Sequence, residues 1–251
     1  MKISAAIITF NEEANIARCL KSLEGVADEI VVMDSGSTDA TQTICASFGV
    51  QFFQQTWLGY AKQKNNANAR CTHEMVLSID ADEALTPELK EAILTLKSSD
   101  KSGVYSLNRL TNYCGTWIYH SSWYPDIKIR LFPKNSYWQG DIHEELIFPT
   151  HIKPELLRGH LAHYSYTSHQ QHRERADHYS RLTAKKYVEL GKKPFLFQPI
   201  LSAFTRFLKM YFIKFGFLDG RAGFHIARIS AQSNYFKYTE VKRLYDQRKR
   251  M

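Results

Sequence analysis

Several features that would place this 251-residue chain in a familiar class are missing. Its four cysteines (Cys19, Cys45, Cys71 and Cys114) are far apart and form no Cys-x-x-Cys pair. Reduced thiols in a cytoplasmic protein are the simplest account. Met1-Lys2 leads straight into a strand-like run, without the apolar core and cleavage site of a secretory signal, and this too sets the expectation of a cytoplasmic location. No Gly-x-Gly-x-x-Gly follows the first apolar run, and no Gly-x-x-x-x-Gly-Lys-Ser/Thr occurs, which disfavours a dinucleotide dehydrogenase or a P-loop enzyme. The ten histidines lack paired metal-ligand spacing, so a separate zinc site finds little support. Internal repeats and low-complexity tracts are absent. Charge of one sign is not in excess over residues 1–193, where 22 Lys and Arg face 22 Asp and Glu. Residues 194–251 carry eleven against three, which accounts for the whole net charge of +8. One end of the molecule is therefore expected to meet an anionic surface.

What is present is an ordinary folded composition, 44% hydrophobic and 23% charged, long enough for one large domain or a domain with an appendage. Residues 3–10, Ile-Ser-Ala-Ala-Ile-Ile-Thr-Phe, read as a strand covered on both faces. Asn11 is a candidate cap for a helix carrying Ile16, Leu20 and Leu23 at helical spacing. A second buried strand over 29–33 ends in Asp34-Ser35-Gly36-Ser37-Thr38-Asp39. A helix over about 40–48 and a third strand near 50–53 follow. Strand alternating with helix predicts a parallel α/β sheet with right-handed crossovers, whose ligands bind at the carboxyl ends of the strands.

The stretch Val76-Leu77-Ser78-Ile79-Asp80-Ala81-Asp82-Glu83 ends at such a rim. Alternation along an extended chain would put Asp80 and Asp82 on one side. Two carboxylates so placed suit a hard divalent cation, Mg²⁺ or Mn²⁺, that also takes water and substrate phosphate. The plainer account is an acidic turn before a helix starting near Thr86-Pro87-Glu88. Asp34 could accept from a nucleobase N–H, and Lys62, Lys64 and Arg70 could approach phosphates; a solvated helix face is the alternative for these cations.

Taken together and in order, Thr9-Phe10-Asn11-Glu12, Asp34 to Asp39, Lys64-Asn65 and Asp80-Ala81-Asp82-Glu83 resemble a family-2 glycosyltransferase over about the first half of the chain. The resemblance implies a GT-A-like nucleotide-sugar-binding fold, a divalent metal on the Asp-x-Asp, and inversion at the sugar carbon. It implies that Thr9, Asn11, Glu12, Asp34, Ser35, Gly36, Lys64, Asn65 and Asp80 contact the nucleotide sugar. Asp80 would lie nearer the ribose, with Asp82 on the metal. His163, in the strand-like stretch 159–166, is a candidate to complete the metal shell; a hydrogen-bonded structural histidine is the alternative.

From Gly103 to about Phe148 the pattern becomes aromatic and strand-like. Trp123, Tyr124 and Arg130 are candidates for an acceptor wall, with core packing the alternative for each aromatic. An inverting transfer needs a carboxylate to take the acceptor hydroxyl proton. Within Trp138-Gln139-Gly140-Asp141-Ile142-His143-Glu144-Glu145, Glu144 is the first choice, with Asp141 and Glu145 open. His-Glu here resembles the lipopolysaccharide-core branch of the family, including its heptose β-glucosyltransferases, which implies glucose from UDP-glucose moving to a heptose inner core.

The expected architecture is α/β with a mostly parallel central sheet. A catalytic domain over 1–166 would divide into a nucleotide-sugar half, 1–100, and an acceptor half, 101–166. A basic, aromatic helical extension would fill 167–251. There Phe197, Leu201, Phe204, Leu208, Tyr211 and Phe215 share a helical face, with Ser202, Arg206 and Lys209 opposite. Three interrupting cations argue against a spanning helix and for one lying on anionic lipid at the inner face of the cytoplasmic membrane. The partners expected are a nucleotide-sugar donor, a lipopolysaccharide-core or lipid-linked acceptor and that membrane surface, with no nucleic acid. The rivals are a polyprenyl-phosphate glycosyltransferase and a non-catalytic basic module for membrane or single-stranded nucleic acid.

Overall fold

A computed structural model describes residues 1–140, 144–149 and 153–250, apart from the side chains of Lys249 and Arg250. In chain order it comprises β1 (Ile3–Thr9), α1 (Ile16–Ser22), β2 (Glu29–Asp34), α2 (Thr41–Ser47), β3 (Gln51–Gln54), α3 (Tyr60–Arg70), β4 (Met75–Asp80), β5 (Glu83–Leu85) and α4 (Pro87–Ser98). Next come β6 (Tyr105–Tyr113), β7 (Thr116–Trp117), β8 (Asp126–Pro133), β9 (Tyr137–Gln139), β10 (Glu145–Ile147) and β11 (Glu155–Tyr166). The rest is helical: α5 (His169–Glu189), α6 (Gln198–Leu208), a π-helical turn (Lys209–Ile213), a 3₁₀ turn (Gly216–Asp219) and α7 (Gly220–Arg250).

Two compact units result. The first contains residues 1–110 and 126–164, the second 111–125 and 165–251. The second unit thus takes in Thr111–Pro125, which the sequence reading assigned to the acceptor half. Composition explains this: Tyr113 and Ile118 are fully buried in one apolar cluster with Met210, Ala222, Ile226 and Ala227, and Trp123 packs against it.

In the first unit the sheet runs β3-β2-β1-β4-β8-β6-β11-β5. Its first four strands are parallel, with Ile7 of β1 opposite Val32 of β2 and Ile79 of β4. β8 then runs antiparallel to β4 and β6, and β5 antiparallel to β11. Every residue of β1 is buried, as expected for a central parallel strand covered on both faces. One face packs Ile16, Leu20 and Leu23 from and beside α1 with Leu89, Ile93 and Leu96 of α4. Thr86 caps α4, its hydroxyl accepting from the Leu89 N–H, with Pro87 in the first turn. Gly159 of β11 has φ +92°, and a Cβ there would lie 2.4 Å from the Leu89 backbone nitrogen. Only glycine lets strand and helix approach so closely. β9 and β10 form a separate two-stranded ribbon.

In the second unit Ser168 caps α5, its hydroxyl accepting from Gln171 N–H, and α5 packs along α7. The break ahead of α7 is tight. A Cβ on Gly223 would meet the Gly216 carbonyl oxygen, and Phe215 takes a left-handed conformation at φ 53°. The buried Asp219 carboxylate accepts from Tyr119 N, His120 N and the His120 ring, tying the loop after β7 to this turn.

Candidate active site

The parallel strands β1, β2 and β4 end together, and their register explains why: Thr9 lies opposite Asp34, and Ile8 opposite Asp80. The polar residues that follow each strand therefore share one rim.

Beyond β1 the expected helix cap is not formed. Asn11 adopts φ 53°, its Oδ1 accepts from Thr38 N at 2.8 Å, and its own N–H donates to Ser37 Oγ at 2.8 Å. Helix α1 starts later, at Ile16, after Asn15. Asn11 instead stitches the β1 loop to the β2 loop, and Glu12 N–H adds a bond to Thr41 Oγ1. Asp34 is fully buried, with its carboxylate engaged in its own turn: Oδ2 accepts from Gly36 N and Ser37 N, and Oδ1 from Ser37 Oγ. These bonds shape the Asp-Ser-Gly-Ser loop. Gly36, at φ +92°, is exposed on that loop and Ser35 is partly so. Thr9 is buried, its hydroxyl without a hydrogen-bond partner.

Helix α3 also differs from expectation. Asn65 bonds both backbone groups of Trp138, donating to its carbonyl at 2.8 Å and accepting from its N–H at 2.7 Å. It is a clamp on β9. Lys64 is 3% exposed; its ammonium donates to Glu144 Oε1 at 2.8 Å, lies 3.7 Å from Asp80 Oδ1, and sits 4.8 Å above the Trp138 ring. Burial by itself raises the Glu144 carboxyl, but Lys64 outweighs it and holds the group below its ordinary value. Glu144 is therefore an anion at neutral pH. Glu145, the next residue, is exposed at the start of β10. Asp141 and His143 lie outside the described residues.

The Asp80–Asp82 alternation does not survive, because β4 stops at Asp80 and the chain turns through Ala81-Asp82 before β5. The two carboxylates have different partners. Asp80 Oδ2 accepts from Arg130 at 2.8 Å, and the same nitrogen donates to Glu83 Oε1 at 2.7 Å. Glu83, fully buried, also accepts from Asp80 N–H and from Arg109. Burial pushes the Asp80 carboxyl up, but Arg130 and Lys64 reverse this and hold it well below the usual carboxylate range. Arg130 was expected on the acceptor wall; at 3% exposed, it lies beneath the acidic turn instead. Asp82 Oδ2 is 3.3 Å from His163 Nε2, brought there by β11, on which His163 pairs with Glu83. Arg18 of α1 stacks 3.8 Å above the neighbouring Tyr164 ring.

Among the described residues no three His, Cys, Asp or Glu side chains are already gathered as a metal cluster. The donors nevertheless fit a hard divalent ion. Asp82 and His163 present an oxygen and a nitrogen side by side, and Asp80 Oδ1 is buried without a hydrogen-bond partner. Oxygen donors with one imidazole suit Mg²⁺ or Mn²⁺.

Trp123 and Tyr124, the other expected acceptor residues, belong to the second unit. Trp123 stacks on Tyr166 at 5.8 Å and meets Tyr113 and His172 edge-on, which is core packing. Tyr124 meets Tyr119 edge-on. The buried Glu83–Arg109–Arg130 network escaped sequence reading. The local signal for it was slight: Arg130 stands in a strand-like run between Ile129 and Leu131, and Arg109 between Asn108 and Leu110.

Set against known proteins, residues 4–176 match the Glycosyl transferase family 2 profile, and the chain belongs to that family. An uncharacterized glycosyltransferase of Rickettsia typhi is 34% identical over 97% of this chain and 87% of its own length. The lipopolysaccharide core biosynthesis glycosyltransferase LpsC of Rhizobium meliloti is 30% identical over 95% of this chain and 93% of its own. Among solved structures, glucosyl-3-phosphoglycerate synthase of Mycobacterium tuberculosis, in complex with Mn²⁺, UDP and glucosyl-3-phosphoglycerate, covers 44% of each chain at 22% identity and a TM-score of 0.37.

Proposed function

We propose that this family-2 glycosyltransferase moves a hexose, glucose from UDP-glucose, with inversion onto the heptose-containing inner core of lipopolysaccharide at the inner face of the cytoplasmic membrane. The observation that carries the reading is the pairing of Asp82 with His163 in the turn that follows β4, two residues after Asp80, whose buried Oδ1 has no hydrogen-bond partner. Asp82 and His163 would hold Mg²⁺ or Mn²⁺, with Asp80 nearer the ribose. When bound, that ion neutralises charge developing on the leaving diphosphate. Ser35 and Gly36, on the loop shaped by Asp34, would line the nucleoside. Glu144, ionised at neutral pH, would take the proton of the acceptor hydroxyl as its oxygen attacks the anomeric carbon. The similarity to LpsC supports a lipopolysaccharide-core acceptor.

Membrane contact is supported by the second unit. Phe197 just before α6, Ile200, Leu201 and Phe204 of α6, Ile213 in the π-helical turn and Leu218 in the 3₁₀ turn are each at least half exposed. Arg206, Lys209, Lys214 and Arg221 lie along the same stretch. Among the described residues no helix is long and apolar enough to cross a membrane. Apolar side chains entering the headgroup boundary, with cations on anionic lipid, match this surface.

The test is release of nucleoside diphosphate from a panel of nucleotide sugars, with and without Mn²⁺, by wild type and Asp82→Asn. Slow metal-dependent release from UDP-glucose, lost in the variant, is the expected result. Turnover of another donor would replace glucose in the reading, and turnover untouched by chelator and by Asp82→Asn would remove the metal from it.

A further inference from the structure

Lys64 is buried, and one of its two neighbouring carboxylates is the residue assigned above as the base. Its ammonium carries three donors. One reaches Glu144 Oε1 at 2.8 Å, whereas Asp80 Oδ1, at 3.7 Å, is too distant for a good bond and has no other partner. The cation is thus shared unevenly between the two carboxylates, with donor capacity unused. We propose that Lys64 is a donor-sensing latch on Glu144: the ammonium leaves the carboxylate for the donor diphosphate, so the base is uncovered only once the donor is in place.

The inference rests on the reading of Glu144 as base and adds the event that arms it. A buried ammonium stripped of its anion carries a large desolvation penalty, so Lys64 does not simply swing free of Glu144. It exchanges one anion for another. A diphosphate carries more charge than one carboxylate and offers more acceptor oxygens, so it competes well for the same donors. A carboxylate that has lost its cation in a partly buried place binds a proton more tightly, as a base must. The reaction then balances. The acceptor oxygen bonds to the anomeric carbon, the bond from that carbon to the diphosphate breaks with its electron pair leaving on phosphate, and the hydroxyl proton passes to Glu144. Asn65, the next residue on α3, keeps β9 in place through Trp138 while Lys64 changes partner. Donor binding ahead of acceptor follows directly.

The test is a double-mutant cycle on binding, with UDP and inorganic pyrophosphate as separate probes, each with Mg²⁺, on the full chain. If Glu144 competes with phosphate for Lys64, Glu144→Gln binds both probes about tenfold more tightly than wild type. Lys64→Met binds them at least tenfold more weakly, and the double variant behaves like Lys64→Met. Lys64→Arg, which keeps the charge, restores binding if the methionine variant loses its fold. Equal affinity in wild type and Glu144→Gln, or additive effects in the cycle, would overturn the latch. The base assignment is judged separately, by the turnover of Glu144→Gln. Tightening seen with pyrophosphate but not UDP would support the latch while removing uridine from the donor reading.

Discussion

The two units treat charged and apolar side chains in opposite ways. In the first, Lys64, Glu83 and Arg130 are nearly inaccessible, and each is bound to opposite charges. In the second, large apolar residues from Phe195 to Phe224 stand in solvent while cations lie between them. Neither arrangement is cheap in water. Buried charge needs a partner of matching geometry, and exposed aromatic surface needs something apolar to cover it. The first unit supplies its partners internally, from β4, β5, β6, β8 and α3, so its charges belong to the fold as much as to the site. In the second these apolar side chains are left exposed among the described residues, which is the surface proposed above to meet anionic lipid.

Removing charge from the first unit and apolar surface from the second should therefore have different consequences. The largest effect is expected for Glu144→Gln, which keeps shape and hydrogen-bonding capacity but loses the base: kcat should fall about 10²- to 10⁴-fold with the circular dichroism spectrum unchanged. Wild-type kcat in that variant would transfer the role to Asp141 or Glu145. Glu83→Ala leaves Arg130 and Arg109 facing a buried void, and denaturant titration should show a loss of about 3–5 kcal/mol. A loss under 1 kcal/mol would mean that the buried network is not holding the acidic turn. In the second unit, replacing Phe204, Ile213 and Leu218 together by serine should leave stability within about 1 kcal/mol. Sedimentation with anionic vesicles should fall at least tenfold, and wild-type binding should weaken with added salt. Unchanged sedimentation would take the membrane away from this face.

The last effect concerns pH. His172 is buried, with its Nδ1 3.0 Å from the Tyr113 hydroxyl, and burial together with neighbouring His169 pushes its pKa down to about 4. In the unfolded chain an imidazole titrates near about 6.5. The folded state therefore binds fewer protons between these values. Its stability is complete above the upper value, declines as pH falls and stops declining below about pH 4. The unfolding equilibrium should move by up to about three-hundredfold across that interval, and His172→Gln should flatten the slope.

Much of this was readable along the chain because local order is written locally. The continuous apolar run of β1 and the start of α4 near Thr86-Pro87-Glu88 each depend on residues within a few positions of one another. The rim was legible for the same reason: parallel strands in register deliver their C-terminal loops to one place. What each rim side chain does there was decided elsewhere. Asn11 looked like a cap but turned left-handed to bind Thr38. Asn65, expected on the nucleotide sugar, holds both backbone groups of Trp138, and Arg130, expected on the acceptor wall, is buried against Asp80 and Glu83. Asp80 and Asp82 parted company because the strand ended between them. Which carboxylate meets which cation depends on pairings such as Lys64 with Glu144, eighty residues apart. Spacing along a sequence carries no record of such pairs, because burial and Coulomb attraction act on distance in space, and only the folded sheet sets that distance.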